Sequence, residues 1–152
     1  MKVDIRKILV IALCLSGIFI MQCREAIAFE NFAESELLSE IQEIKNEGSP
    51  NSQVNLTFKL ANDFKRGKYP KVSKAEVHAL ASLLSLPNDA VRHWDAVALR
   101  YAGPNADRAV VALYVALAEI ECSNASLTSE QAIRLTLKEL RHTAPESKCS
   151  PF

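Results

Sequence analysis

Val-Arg-His-Trp-Asp-Ala-Val-Ala-Leu-Arg-Tyr-Ala-Gly-Pro-Asn-Ala-Asp-Arg-Ala-Val-Val-Ala-Leu-Tyr-Val-Ala-Leu, residues 91–117, is the stretch whose reading decides the fold. Pro87-Asn88-Asp89 stands just before it and breaks a preceding helix. Asn88 or Asp89 then serves as N-cap of the next one, because a short side-chain oxygen there accepts a backbone N–H that the first turn leaves unpaired. That helix runs to about Tyr101. Gly103-Pro104-Asn105 ends it and launches the longest helix of the chain, about Ala106 to Glu121, with Val110, Leu113, Tyr114 and Leu117 facing inward at helical spacing.

The same punctuation continues on both sides. Upstream, Ser73-Lys74-Ala75-Glu76 forms a capping box and opens a helix with Val77, Leu80, Ala81 and Leu84 on one face. Further back, Asn31 to Glu47 carries Leu37, Leu38, Ile41 and Ile44 on one stripe and stops at Gly48, a residue that tolerates positive φ. Between these, residues 53–66 are ambiguous. Val54, Leu56, Phe58 and Leu60 alternate as in a strand, whereas Leu56, Leu60 and Phe64 recur as in a helix. With no partner strand in sight, helix is the reading adopted. Downstream, Thr128-Ser129-Glu130-Gln131 reads as a second capping box, opening a helix through Ile133, Leu137 and Leu140 that fades near His142. The chain is expected to be all-α, with about six helices.

The segment from Val91 to Leu117 resembles one HEAT repeat of the short bacterial kind. The resemblance rests on Val91-Arg92 one turn into the first helix, on Trp94 and Ala96 to Leu99 along its face, on the Gly103-Pro104 turn, and on Ala109-Val110, Leu113 and Leu117 in the second helix. The helices from Ser73 to Leu86 and from Ser129 to His142 look like the halves of flanking repeats. Asp95 and Arg100 depart from the pattern, standing where the family usually has small residues, so either the packing is adapted there or the two charges serve each other or a neighbour. The resemblance implies a short right-handed α-solenoid of antiparallel helix pairs, whose end helices need lids because a pair cannot cover its own apolar face.

The beginning of the chain has a different character. Lys2, Arg6 and Lys7 precede an apolar run from Ile8 to Met21, and Ala26-Ile27-Ala28 follows, which is the order of a cleavable secretory signal over residues 1–28. A run of fourteen residues is short of the roughly twenty that a bilayer core requires. Cys23 raises the alternative of a lipidated cysteine, but Met21 and Gln22 before it are not the small residues such a site uses. Cleavage would remove Cys14 and Cys23, leaving Cys122 and Cys149 to form a disulfide in an oxidising compartment. It would also take 18 basic and 18 acidic residues to 14 and 16, a net charge near minus two. That charge makes no case for nucleic acid. The remaining residues 29–152 suit a single domain.

Chemistry-bearing motifs are not found. There is no nucleophile with its base and orienting acid, no Gly-rich phosphate loop and no HExxH pattern. Three histidines, His78, His93 and His142, stand at no ligand spacing from a cysteine. No catalytic residue, metal or cofactor is therefore expected, and Trp94 reads as core. An unexplained carboxylate in a cleft, with a raised pKa, would reopen the enzyme reading. The positive signal lies on the second helix of the repeat, where Val111 and Val115 fall off the inward stripe: they either form an exposed apolar ridge rimmed by Asp107, Arg108 and Glu119, or are covered by a neighbouring helix or the tail. The expected function is an exported protein-binding module, in its specific form a periplasmic inhibitor or immunity protein against a secreted toxin or enzyme, with a structural or adaptor protein of the cell envelope as the alternative. N-terminal sequencing of the exported protein should begin at Phe29. A lipid-modified Cys23 at the terminus would contradict this.

Overall fold

A computed structural model describes residues 35–120, 122, 124–147 and 149. The expected signal peptide and Cys23 lie outside the described residues, and all that follows concerns the unit Glu36–Phe152. The described residues contain six α-helices and no strand: α1 Glu36–Asn46, α2 Pro50–Lys65, α3 Lys74–Ala81, α4 Asp89–Arg100, α5 Val110–Glu119 and α6 Asn124–Glu139. Two 3₁₀ segments complete the set, with Ser82–Ser85 extending α3 and Gly103–Ala109 leading into α5. The all-α expectation holds. Residues 53–65 are helical, with Leu60 and Phe64 buried while Phe58, which a strand would have placed beside them, is exposed.

Helix ends follow from local chemistry. Ser73 and Glu76 form the expected reciprocal capping box, with Ser73 N–H donating to the Glu76 carboxylate at 2.6 Å and Glu76 N–H to the Ser73 hydroxyl at 3.2 Å. Asn88 is the N-cap of α4, its side chain accepting from Ala90 N–H at 3.0 Å. At the end of α2, Gly67 (φ 78°) reverses the chain. Lys68 N–H reaches back to Asp63 O and Gly67 N–H to Phe64 O, the paired bonds of a Schellman motif. The same pair closes α6, from His142 N–H to Leu137 O and from Arg141 N–H to Lys138 O, but there a non-glycine, Arg141, takes the left-handed turn (φ 64°).

Three boundaries differ from expectation. Gly48 does not adopt positive φ and is not the left-handed stop of α1, which ends at Asn46. Thr128 lies inside α6 rather than capping it. No Gly or Pro interrupts residues 123–128, and Leu127 packs against the core, so the helix gains a turn toward its N-terminus. The segment expected to be the longest helix is instead a 3₁₀ stretch followed by ten residues of α-helix, shorter than the sixteen each of α2 and α6. With three residues per turn, that stretch stacks Ala106 and Ala109 on one side, and both are fully buried. Asn105 fixes its start, donating to Val72 O at 2.7 Å.

Neighbours alternate along the chain. Helix α4 packs between α2 and α6, forming one row. In the facing row, α1 packs on α3, and α3 with its 3₁₀ extension packs on the Gly103–Ala109 segment and α5. The core lies between the rows, with Val77, Leu80, Leu83, Val91, Leu99, Leu113, Ile133 and Leu137 at 0% exposure. Ala96 and Ala98 on α4 are equally buried, and their small size lets neighbouring helices approach closely. Thr136 of α6 exploits that approach, its hydroxyl lying 2.8 Å from Ala96 O of α4 and 2.9 Å from Ala132 O of its own helix.

After α6 the chain returns over α5 and α6 without regular structure. Thr143 O accepts from the Tyr114 hydroxyl at 2.9 Å, Pro145 O from Arg134, and the Ser147 hydroxyl donates to Glu130 at 2.6 Å. Burial pushes the Glu130 carboxyl up, but the bonds from Ser147 and Arg134 outweigh it and hold the group below the usual carboxylate range. This tie is in place above the unfolded-state pKa and is lost as pH falls through the lower folded-state value. Cys122 and Cys149 stand at disulfide distance, their Cα atoms 5.2 Å apart across a separation of 27 residues. A bond there closes a loop around α6 and by loop entropy stabilises the fold by roughly 3 to 4 kcal/mol. Replacing both cysteines with serine should lower the melting temperature markedly and accelerate amide exchange in α6 before α4. Two free thiols in the unreduced, unfolded protein would contradict this.

Candidate functional site

Large apolar side chains left in solvent are the clearest functional signal in the described residues. There are five, namely Phe58, Tyr101, Val111, Val115 and Leu135. Isolated examples are ordinary on any surface, and only their grouping is informative. These five fall into two grooves, one on each row of helices.

The first groove, of about 480 Å³, runs between α5 and the end of α3 with its 3₁₀ extension. Val111 and Val115, exposed to 74% and 51%, form one wall, successive turns of α5 placing residues four apart on the same face. Ala112 and Ala116 lie beside them, and Ala81, Ser82 and Ser85 form the opposite wall. These small side chains keep the floor open. Arg108 and Glu119 stand at the rim with opposite charge, and His78 joins them.

Four of the five residues singled out from sequence, Arg108, Val111, Val115 and Glu119, are thus brought together on one groove. Asp107 is not. It lies in the 3₁₀ stretch, where 3.0 rather than 3.6 residues per turn removes it from the face of Val111, and its carboxylate is 3.7 Å from His142 Nε2. The opposite wall was not foreseen. Its only trace in the sequence is the pair of small polar residues Ser82 and Ser85, which fall off the Val77, Leu80, Leu84 stripe.

The second groove, of about 470 Å³, crosses α2, α4 and α6. Phe58 meets Trp94 edge to face with ring centroids 4.6 Å apart, and His93 also meets Trp94 edge to face at the same distance. Trp94 is half-buried: it packs against the core as expected, yet it also lines this groove. His93 is held in place by its Nδ1, 3.0 Å from Thr128 O.

The two departures from the repeat pattern do not serve each other. Arg100 turns outward, its guanidinium 5.1 Å from the centre of the Tyr101 ring. Asp95 points into the core at 0% exposure, and neither carboxyl oxygen meets a hydrogen-bond partner among the described residues. Burial pushes its pKa well above the usual carboxylate range. The raised pKa is the feature expected of an acid–base group, but Asp95 lines neither groove and has no opening to solvent. Among the described residues no cluster of three or more His, Cys, Asp or Glu is placed to hold a metal.

The consequence of Asp95 is therefore energetic. The folded protein keeps this proton where the unfolded chain, with a pKa of about 3.9, releases it. Stability is then lost as pH rises through the unfolded-state value and continues to fall up to the higher folded-state value. Asp95→Asn, which cannot ionise, should come closest to the parent near pH 3 and gain on it as pH rises to 7, because only the aspartate must hold a proton that the unfolded chain releases. Thermal melts across that range measure the difference. A gap of constant size at every pH would contradict this.

Comparison of the chain with protein-family models, with curated proteins and with solved structures gives no match, so the function is argued from the grooves themselves.

Proposed function

We propose that the chain is an exported protein-binding module that docks a partner on the Val111–Val115 ridge. The observation that carries this reading is the exposure of the two valines, 74% and 51%, on the wall of a groove that continues apolar through Ala112 and Ala116. Covering a valine side chain contributes about 1.5 kcal/mol or more, so two on adjacent turns make an energetic centre for an interface. Arg108 and Glu119 at the rim carry opposite charges, which suits a partner segment that is apolar at its centre and bears both signs at its edge.

In this reading the chain is a short right-handed HEAT-like α-solenoid. The alternation of neighbours, α2 beside α4 beside α6 and α1 beside α3, whose 3₁₀ extension packs on α5, supports it. Export through a signal at residues 1–28, cleaved before Phe29, is part of the proposal and fits the placement of Cys122 against Cys149. No helix among the described residues is long and apolar enough to cross a membrane. The specific form is a periplasmic inhibitor or immunity protein that covers a functional surface of a secreted toxin or enzyme, without catalysis, metal or cofactor. A second reading, an adaptor of the cell envelope, is favoured by one observation. The second groove lies on the other row of helices and would allow two partners at once.

Affinity purification of the tagged protein from its own cell envelope tests the docking surface. Val111→Asp places an unpaired charge in the interface and should weaken retention of the partner by about 100-fold or more. It should change the melting temperature little, since an exposed position away from the core shifts stability by only about 0.5 kcal/mol. Lys138→Ala, on the exposed end of α6, should leave retention intact. Equal retention by Val111→Asp and the parent would overturn the assignment.

A further inference from the structure

The second groove has a chemistry of its own. Its apolar surface is aromatic, built from Phe58, Trp94 and Tyr101 with Leu135 on the far side, and three of these four are 40% to 45% exposed. Lys65 and Arg100 line the same groove, and no carboxylate does. The first groove, by contrast, carries Arg108 and Glu119 together.

The two cations occupy comparable places. Lys65 is in the last turn of α2 and Arg100 in the last turn of α4. A helix C-terminus presents about half a negative charge, so each full positive charge leaves a surplus. Among the described residues neither Lys65 nor Arg100 makes a salt bridge, while Lys59, Lys68, Arg92 and Arg134 all do. Arg100 is instead held over the Tyr101 ring, its Nη2 3.4 Å from the Tyr101 hydroxyl.

We propose that the groove between α2, α4 and α6 binds an acidic amphipathic helix of a protein partner, its apolar side chains on Phe58, Trp94 and Leu135 and its carboxylates at Lys65 and Arg100. The charge of the groove selects the sign of the partner, and its size selects the kind. A small ligand reaches full affinity when most of its surface is enclosed. This groove spans three helices and leaves its walls half in solvent, which matches the apolar stripe of a helix laid across it. Single-stranded nucleic acid also uses aromatic and basic groups, but it needs a continuous basic track along its backbone, and this groove offers only two cations, each at the end of a different helix. The inference is independent of the valine ridge.

Trp94 is the only tryptophan in the chain, so its emission reports on this groove alone. The purified protein should be titrated with a Trp-free helical peptide of leucine and glutamate, with its leucine–lysine counterpart, and with oligothymidylate. The glutamate peptide should shift Trp94 emission and saturate, and the other two should not. Lys65→Glu combined with Arg100→Glu should weaken the glutamate peptide about tenfold or more and admit the lysine peptide. Lys65→Gln alone, at an exposed helix end, should weaken it less and keep the fold, so that loss of binding is separable from loss of structure. Val111→Asp should leave the titration unchanged. Equal responses to the two peptides, no response to the glutamate peptide, or a saturating response to oligothymidylate would each overturn the proposal.

Discussion

Everything in the described fold depends on how closely helices can approach α4. It has α2 on one side, α6 on the other and the second row across the core, so its buried positions must be narrow where its neighbours cross it. Ala96 and Ala98 meet that demand, with Val91 and Leu99 filling the space between the rows, all at 0% exposure. The hydrogen bond from Thr136 to Ala96 O forms only because the α6 backbone comes this near. Interiors are packed to crystal-like density, so a larger side chain at either alanine would have to push a whole helix outward.

Asp95 shows how much the packing of α4 tolerates. A carboxyl group with no hydrogen-bond partner among the described residues occupies the buried face of α4, next to Ala96. Burial holds its pKa well above the usual carboxylate range, so its contribution to stability falls as pH rises.

The same two-row arrangement determines which apolar groups stay in solvent. The inner faces of both rows are consumed by the core, and the outer faces carry the five exposed large side chains in two separate places. On one row they are aliphatic, with a rim of mixed charge. On the other they are aromatic, with cations only. Two surfaces of such different chemistry do not suit the same partner segment, which is why they are assigned different ones.

Much of the fold was legible because it is written in local chemistry. Ser73 with Glu76, Asn88 before α4, and the apolar stripes of α3 and α5 appear in the sequence as they do in the structure. Where several backbone solutions were open, tertiary contacts chose. Leu127 drew α6 back past Thr128, and the tight packing of Ala106 and Ala109 went with a 3₁₀ stretch. That stretch also removed Asp107 from the valine face. The ridge itself was legible as a break in helical periodicity, but its opposite wall and the aromatic groove were not. Both are formed by residues distant in sequence, Phe58 and Trp94 above all, whose proximity only the packing of α2 on α4 creates. The measurement that bears most directly on the proposed docking surface is site-specific photo-crosslinking in the producing cell, with a photoreactive residue at Val115 and a control at Lys138. A single discrete crosslinked protein from position 115 and none from position 138 is the result expected. No adduct from 115, or the same diffuse set from both positions, would contradict it.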